Sequence, residues 1–298
     1  MTAGDVRAVD TGAEPLLEFR EVSKRYGAFL LDRVSFTVPR GYVCGLIGPN
    51  GAGKTTIVNL LLNLVHRDAG RIEVAGQDPA EHEIAVKGRI GFVHEVPSYY
   101  EHLSLKAIGR IVGSFYPAWD DALFASLLME FDLPPRARFG TLSRGMRTKG
   151  ALALALAHRA ELLVLDEPTA GLDPVFRRAL LERLAAYVSD GRASVLISTH
   201  ITSDLERLAD FVTHVRAGRV MLSATRDELA ERWAIVRGGP ALLEGEARAL
   251  LSGWERTPHG VTGLTFDAPA LRRRLVGHDV VVERATLEDI MFYTERSC

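Results

Sequence analysis

Nine consecutive residues, Gly48-Pro49-Asn50-Gly51-Ala52-Gly53-Lys54-Thr55-Thr56, fill the pattern G-x-x-x-x-G-K-[ST]. Glycines at these places let the backbone curl until successive N–H groups converge on one point, a nest for phosphate oxygens. A helix starting at the end of the loop adds the positive end of its dipole. Lys54 supplies a point charge for the β- and γ-phosphates, and the Thr55 hydroxyl is a ligand for Mg²⁺. The implied ligand is a nucleoside triphosphate. Such a loop works only when it joins a buried strand to a helix, and the flanks are suited to that. The run from Tyr42 to Ile47 is apolar and strand-like, and Ile57 to Val65 is apolar and helix-like.

A second group of residues adds the means to cut the phosphate bond. Glu161-Leu162-Leu163-Val164-Leu165-Asp166-Glu167 reads as a buried strand ending in two carboxylates. Asp166 at the strand's end is placed to hold Mg²⁺, and Glu167 to orient and deprotonate an attacking water. Upstream, Leu142-Ser143-Arg144-Gly145-Met146 leads into an Ala- and Leu-rich helix with Ser143 as its N-cap. This chain therefore carries a second helix start suited to an anion. Arg144 puts a cation beside the positive end of that helix, which is unfavourable until an anion arrives.

Together these elements resemble the ATP-binding cassette (ABC) family, and the resemblance runs from Leu16 to about Leu222. Its signature, usually LSGGQ, stands here as LSRGM, with Ser143 and Gly145 kept at the positions tied to phosphate contact and Arg144 in place of a glycine. Ala170-Gly171-Leu172-Asp173 resembles the D-loop, which in the family crosses to a partner subunit. His200 resembles the switch histidine that contacts the γ-phosphate, and Tyr26 the aromatic that stacks on adenine. Glu95, in Gly91-Phe92-Val93-His94-Glu95-Val96-Pro97, stands where the family normally has Gln. A carboxylate there ligates Mg²⁺ but, when ionised, cannot donate. It should tighten the metal and disfavour nearby phosphates.

The resemblance implies ATP and Mg²⁺ as cofactors and an ATP hydrolase with Glu167 and His200 as its catalytic residues. It implies a metal held by Thr55, Glu95 and Asp166, and a signature (Ser143, Arg144, Gly145) that reaches ATP in trans. The partners implied are a second ABC ATPase subunit, paired head to tail as a homodimer or with a close relative, and a separate transmembrane permease. That permease would be felt in the groove near Tyr99 and Tyr100. The expected place is cytoplasmic, peripheral on the inner face of the cell membrane. The stretches around Phe115-Tyr116-Pro117-Ala118-Trp119-Asp120 and Ser198-Thr199-His200-Ile201 look like bacterial ATPases of the multidrug or antibiotic export type. An importer motor is the alternative, and a non-transport ABC ATPase a more distant one. A phosphate-loop kinase or switch GTPase is opposed by the signature, the D-loop and His200.

Composition agrees with a cytosolic globular protein. Of 298 residues, 47% are hydrophobic and 25% charged, values typical of soluble domains. The net charge of -2 gives no support to a nucleic-acid partner. Two cysteines, Cys44 and Cys298, make no disulfide framework. The apolar stretch Ala151 to Ala157 is far short of the about 20 residues a spanning helix needs.

The order of elements implies an α/β fold with a mainly parallel core sheet, and the resemblance implies a P-loop ABC cassette with an antiparallel β-subdomain and a helical subdomain. Residues 1–15 are expected to be a disordered leader, 16–224 the ATP-binding domain with its helical part at about 97–157, and 225–298 a small C-terminal α/β accessory domain. Within 97–157 the helical pattern breaks at Pro117 and Pro134-Pro135. The tail either dimerises or docks a partner, or serves as a lid that completes the cassette core. Thr286-Leu287-Glu288-Asp289 reads as a helix start with an acidic residue at N3.

Overall fold

The structure, a computed structural model, describes residues 14–243, 245–275 and 279–295. Up to residue 13 the expected leader lies outside the described residues, and Pro15 already opens the first strand.

The central sheet has six strands in the order β5 (Ile90–Val93), β6 (Leu162–Asp166), β7 (Ser194–Thr199), β3 (Val43–Ile47), β8 (Phe211–Arg216) and β9 (Arg219–Thr225). The pairings β5–β6, β6–β7, β7–β3 and β3–β8 are parallel, and β8–β9 closes the edge as an antiparallel hairpin. Every residue of β3, β6 and β7 is buried. Period-two alternation splits their side chains between two cores. Val43, Ile47, Leu163, Leu165, Val195 and Ile197 enter one, and Cys44, Leu46, Leu162, Val164 and Leu196 the other. A sheet covered on both faces holds its strand ends rigidly, and the chemistry sits at those ends.

The second core is closed by a three-stranded antiparallel sheet ordered β2 (Phe29–Pro39), β1 (Pro15–Tyr26), β4 (Ala69–Val74). Phe19 and Phe36, opposite one another on β1 and β2, stack with centroids 4.8 Å apart. Between the sheets runs α1 (Lys54–Leu61), with Ile57, Val58, Leu60 and Leu61 buried. This helix ends before the expected Val65, where Asn63 turns into left-handed backbone with φ 52°. A short α2 (Glu83–Lys87), which the sequence pattern did not signal, precedes β5.

The helical part comprises α3 (Leu105–Gly113), α4 (Asp121–Glu130) and α5 (Arg144–Ala157). Breaks fall at Pro117 and around Pro134-Pro135, as proline's missing N–H requires. Each of the three helices is capped by its own preceding side chain: Ser104, Asp120 and Ser143 accept from the N3 backbone N–H. On the same face of the sheet, away from α1, lie α6 (Pro174–Val188) and α7 (Thr202–Leu208), which share the core of α3, α4 and α5. Gly45 allows α7 to approach β3, since a Cβ there would sit 2.5 Å from the Leu205 side chain.

Beyond β9, α8 (Arg226–Arg232) starts at a complete capping box between Thr225 and Glu228. A four-stranded antiparallel sheet follows, ordered β11 (Leu251–Thr257), β12 (Gly260–Thr265), β10 (Ala234–Gly238), β13 (Val280–Arg284), with α9 (Gly245–Ala249) and α10 (Ala268–Arg274) beside it. The last helix, α11 (Leu287–Glu295), begins where Thr286 and Asp289 cap each other reciprocally. It returns to the cassette: the Leu287 N–H donates to Glu206 on α7 (2.8 Å) and Arg216 on β8 donates to the Thr294 carbonyl. Leu287, Ile290 and Tyr293 lie in the same core as Ile47 and Leu205.

Candidate functional site

The phosphate loop lies between β3 and α1. Gly48 has φ 155°, and a Cβ there would meet the Val215 carbonyl oxygen at 2.2 Å, so no side chain fits. Gly53 is the N-cap of α1 with φ 114° and offers no side chain to cap the first turn, which leaves that turn's N–H groups for a ligand. Lys54 is buried and folds back on the loop, donating to the Gly48 carbonyl (2.6 Å) and the Pro49 carbonyl (3.2 Å). Burial lowers its pKa, and the charges of Glu167, Asp166 and Glu95 oppose that shift. Ala52 stays on the protein side, with its N–H on Pro49 and its carbonyl accepting from Gly218.

An open cleft of about 450 Å³ faces this loop. Pro49, Asn50, Gly51, Gly53, Lys54, Thr55 and Thr56 line it, together with Glu95, Asp166, Glu167 and His200. Residues from four separated stretches of chain thus converge. The parallel sheet causes this, because β3, β6 and β7 end side by side and β5 ends next to β6. Asp166 is buried at the end of β6, and desolvation, then the charges of Glu167 and Glu95, raise its pKa. Glu167 follows in left-handed backbone (φ 48°), with its N–H on the Ser198 carbonyl at 2.8 Å.

Both Glu167 oxygens are held by the end of β7. The Thr199 hydroxyl donates to Oε2 (3.0 Å), and the His200 backbone N–H donates to Oε1 (3.1 Å). Nδ1 of His200 lies 2.8 Å from the same Oε1. An ionised carboxylate only accepts, so Nδ1 must carry the proton in this contact. Glu167 and His200 form one hydrogen-bonded unit. Thr199, which sequence reasoning did not single out, completes it; its position beside His200 at a strand end was the available signal.

The signature stands apart from this cleft. Ser143 caps α5, its oxygen accepting from the Met146 N–H at 3.3 Å, and neither Ser143, Arg144 nor Gly145 lines the cleft. Gly145 packs by Gly171: a Cβ on Gly145 would lie 3.7 Å from the Gly171 oxygen. Asp173 is the N-cap of α6, accepting from Phe176 N–H at 2.9 Å, and lies 3.9 Å from Lys149. Tyr26 also does not line the cleft. It is exposed at the hairpin end, with Lys24 over its ring, and pairs directly with Phe29. Phe29 is the aromatic that lines the cleft, its ring reaching within 3.1 Å of a Cβ placed on Gly53. The alternation across the Gly27-Ala28 turn could have pointed to it.

A phosphate cradle at a strand–helix junction, two carboxylates on the next strand but one, and a histidine closing the strand between them define a phosphate-loop ATPase. Residues 31–170 match the family described as ABC transporter. The Nod factor export ATP-binding protein I of Burkholderia lata is 34% identical over 92% of this chain and 95% of that protein. The daunorubicin resistance ATP-binding protein DrrA3 of Streptomyces coeruleorubidus is 37% identical, over 90% and 84%. The bacitracin transport ATP-binding protein BcrA of Bacillus licheniformis is 30% identical, over 73% and 72%. Among solved structures, the ATP-binding subunit of an ABC transporter superposes with a TM-score of 0.68 at 32% identity, covering 72% of this chain and 91% of that one. The chain belongs to the ABC transporter family and is an ATP hydrolase of that family. Among the described residues no helix is long and apolar enough to cross a membrane.

Proposed function

We propose that this chain is the cytosolic motor subunit of an ABC exporter, in which two cassettes close head to tail on ATP and drive a separate transmembrane permease. One observation carries the reading. The cradle, the carboxylates and His200 share a single cleft, whereas the second anion-ready helix start, at Ser143, lies outside it. A second copy or a close relative would bring its own Ser143, Arg144 and Gly145 to the open side of the cleft. Export, rather than import, is supported by relatives named for Nod factor export, daunorubicin resistance and bacitracin transport. The chain would then sit at the inner face of the membrane through the permease, and no nucleic acid is involved.

The residues fit Mg²⁺·ATP. A Cβ at Gly51 would project into open space, the first turn of α1 lacks a side-chain cap, and Lys54 now spends its protons on loop carbonyls that a phosphate would replace. Thr55, Asp166 and Glu95 offer hard oxygen ligands, and Mg²⁺ is held by few carboxylates plus substrate phosphates rather than by an all-protein cage. When bound, the metal would neutralise phosphate charge during cleavage. Lys54 and the loop N–H groups hold the β- and γ-phosphates. Glu167 accepts a proton from the attacking water, and His200 reaches a γ-phosphate oxygen as a donor through Nε2, which requires the imidazolium or a switch to the Nε2–H tautomer with Nδ1 released from Glu167. Tyr26, with Phe29 beside it, offers a ring face to the adenine.

Glu167→Gln tests this. The variant should bind ATP and accumulate as an ATP-bound dimer by light scattering. A species that stays monomeric at saturating Mg²⁺·ATP would overturn the two-cassette mechanism.

A further inference from the structure

Two of the places where this sequence departs from the family pattern, Arg144 and Glu95, carry opposite charges, and the fold brings them together. Arg144, at the first position of α5, reaches Glu95 on the loop after β5, with Nη2 3.8 Å from Oε1. Its stem runs beside the D-loop, where a Cβ on Gly171 would lie 3.9 Å from Arg144 Cδ. Glu95 also belongs to the cleft, whose lining sets Glu95, Asp166 and Glu167 against Lys54. Its charge is felt at both Lys54 and Asp166. Arg144 approaches from outside the cleft and offsets an acidic excess that would otherwise repel a polyanionic ligand.

We propose that Arg144 and Glu95 form an intrachain latch that ATP-driven closure must open. The proposal rests on the two-cassette reading above. In the resting chain the pair ties the start of α5, and with it the helical part, to the edge of the cleft. On closure Glu95 turns to the metal side of its own cleft, and Arg144 turns to the phosphates bound by the other cassette. One guanidinium cannot serve both anions fully, so nucleotide closure and the intrachain pair compete. Both side chains are about half exposed, 59% and 48%, so the latch is weak and salt-sensitive. A weak latch suits a contact broken in every cycle.

The test is a double-mutant cycle of Arg144→Ala and Glu95→Gln in the full chain carrying Glu167→Gln. The readout is hydrogen exchange in segments 95–100 and 144–148, with and without saturating Mg²⁺·ATP. Without nucleotide at low salt, each single variant should raise exchange by up to about fivefold, the range of an exposed ion pair. The double variant should go no further, and added salt should remove the difference. With Mg²⁺·ATP the non-additivity should vanish. Additive effects without nucleotide would overturn the pair. Non-additivity that persists in the ATP-bound dimer would make it a static bridge and overturn the latch. Light scattering on the same samples separates the two proposals: if no dimer forms, the two-cassette reading fails and the hand-over with it. The nucleotide-free cycle would still report on the pair.

Discussion

The starts of α1 and α5 look alike in sequence and differ in structure. Each is a helix N-terminus following a small-residue turn, and each lacks an acidic residue in its first turn. At α1 the N-cap is a glycine, no side chain covers the backbone N–H groups, and a buried lysine stands beside them. At α5 Ser143 already accepts from Met146, and an exposed arginine takes the first position. A naked helix end inside a cleft is a finished anion site. A capped end on the surface, with a cation against its own dipole, is half of one. On the two-cassette reading proposed above, this difference is the reason a second cassette is required.

The largest effect that bears on this comparison is on the α1 side. Glu167→Gln should lower ATP turnover, measured by phosphate release, by about 10²–10⁴-fold, the range for loss of a general base, with nucleotide binding retained. A variant that hydrolysed ATP normally would move the base elsewhere.

Next in size is a pH effect beneath the phosphate loop. His214, fully buried on β8 opposite Ile47, has its pKa lowered to about 4, first by burial and then by the charges of Arg216 and Lys54. Above the unfolded value of about 6.5 both states are neutral and the group contributes nothing. As pH falls from about 6.5 to about 4 the unfolded chain takes a proton that the native chain refuses. Stability is lost over that window by about 3 kcal/mol. His214→Leu should flatten this part of the acid slope in urea unfolding, and an unchanged slope would show that the ring titrates normally. His158, at the far end of α5 and also shifted downward by burial, should keep a smaller acid slope in the variant.

The smallest effect sits at α5. Ser143→Ala removes one cap and should cost about 1 kcal/mol of stability. ATP affinity of the monomer should be unchanged, while ATP-driven dimerisation of the Glu167→Gln background weakens. Loss of stability alone, with dimerisation intact, would reduce Ser143 to an ordinary cap and erase the contrast with α1.

Legibility followed locality. The phosphate loop, the strand ending at Asp166 and the cap at Ser143 are each contiguous, and local backbone geometry alone fixes what they can do. The breaks between α3, α4 and α5 fall at the prolines for the same reason, while the caps Ser104 and Asp120 emerge only in the structure. The resemblance points to Tyr26 and not to Phe29, because only the hairpin pairing across the Gly27-Ala28 turn brings Phe29 to the cleft. Nor did the tail's sequence reveal that α11 would lie on α7, because Leu287, Ile290 and Tyr293 meet Leu205 only through folding.

Residue type and spacing by themselves determined the fuel, a triphosphate for the Gly48–Thr56 loop, and the family resemblance carried by the motifs determined the cassette fold. Tertiary structure decided the grouping. It gathered Glu95, Asp166, Glu167 and His200 into one cleft with the loop and left Ser143 outside. It also bound Glu167 to His200, and joined Arg144 to Glu95. The physical reason is that a chain position fixes a residue's chemistry, while its distance from another depends on how a parallel sheet, covered on both faces, aligns the ends of strands far apart in sequence.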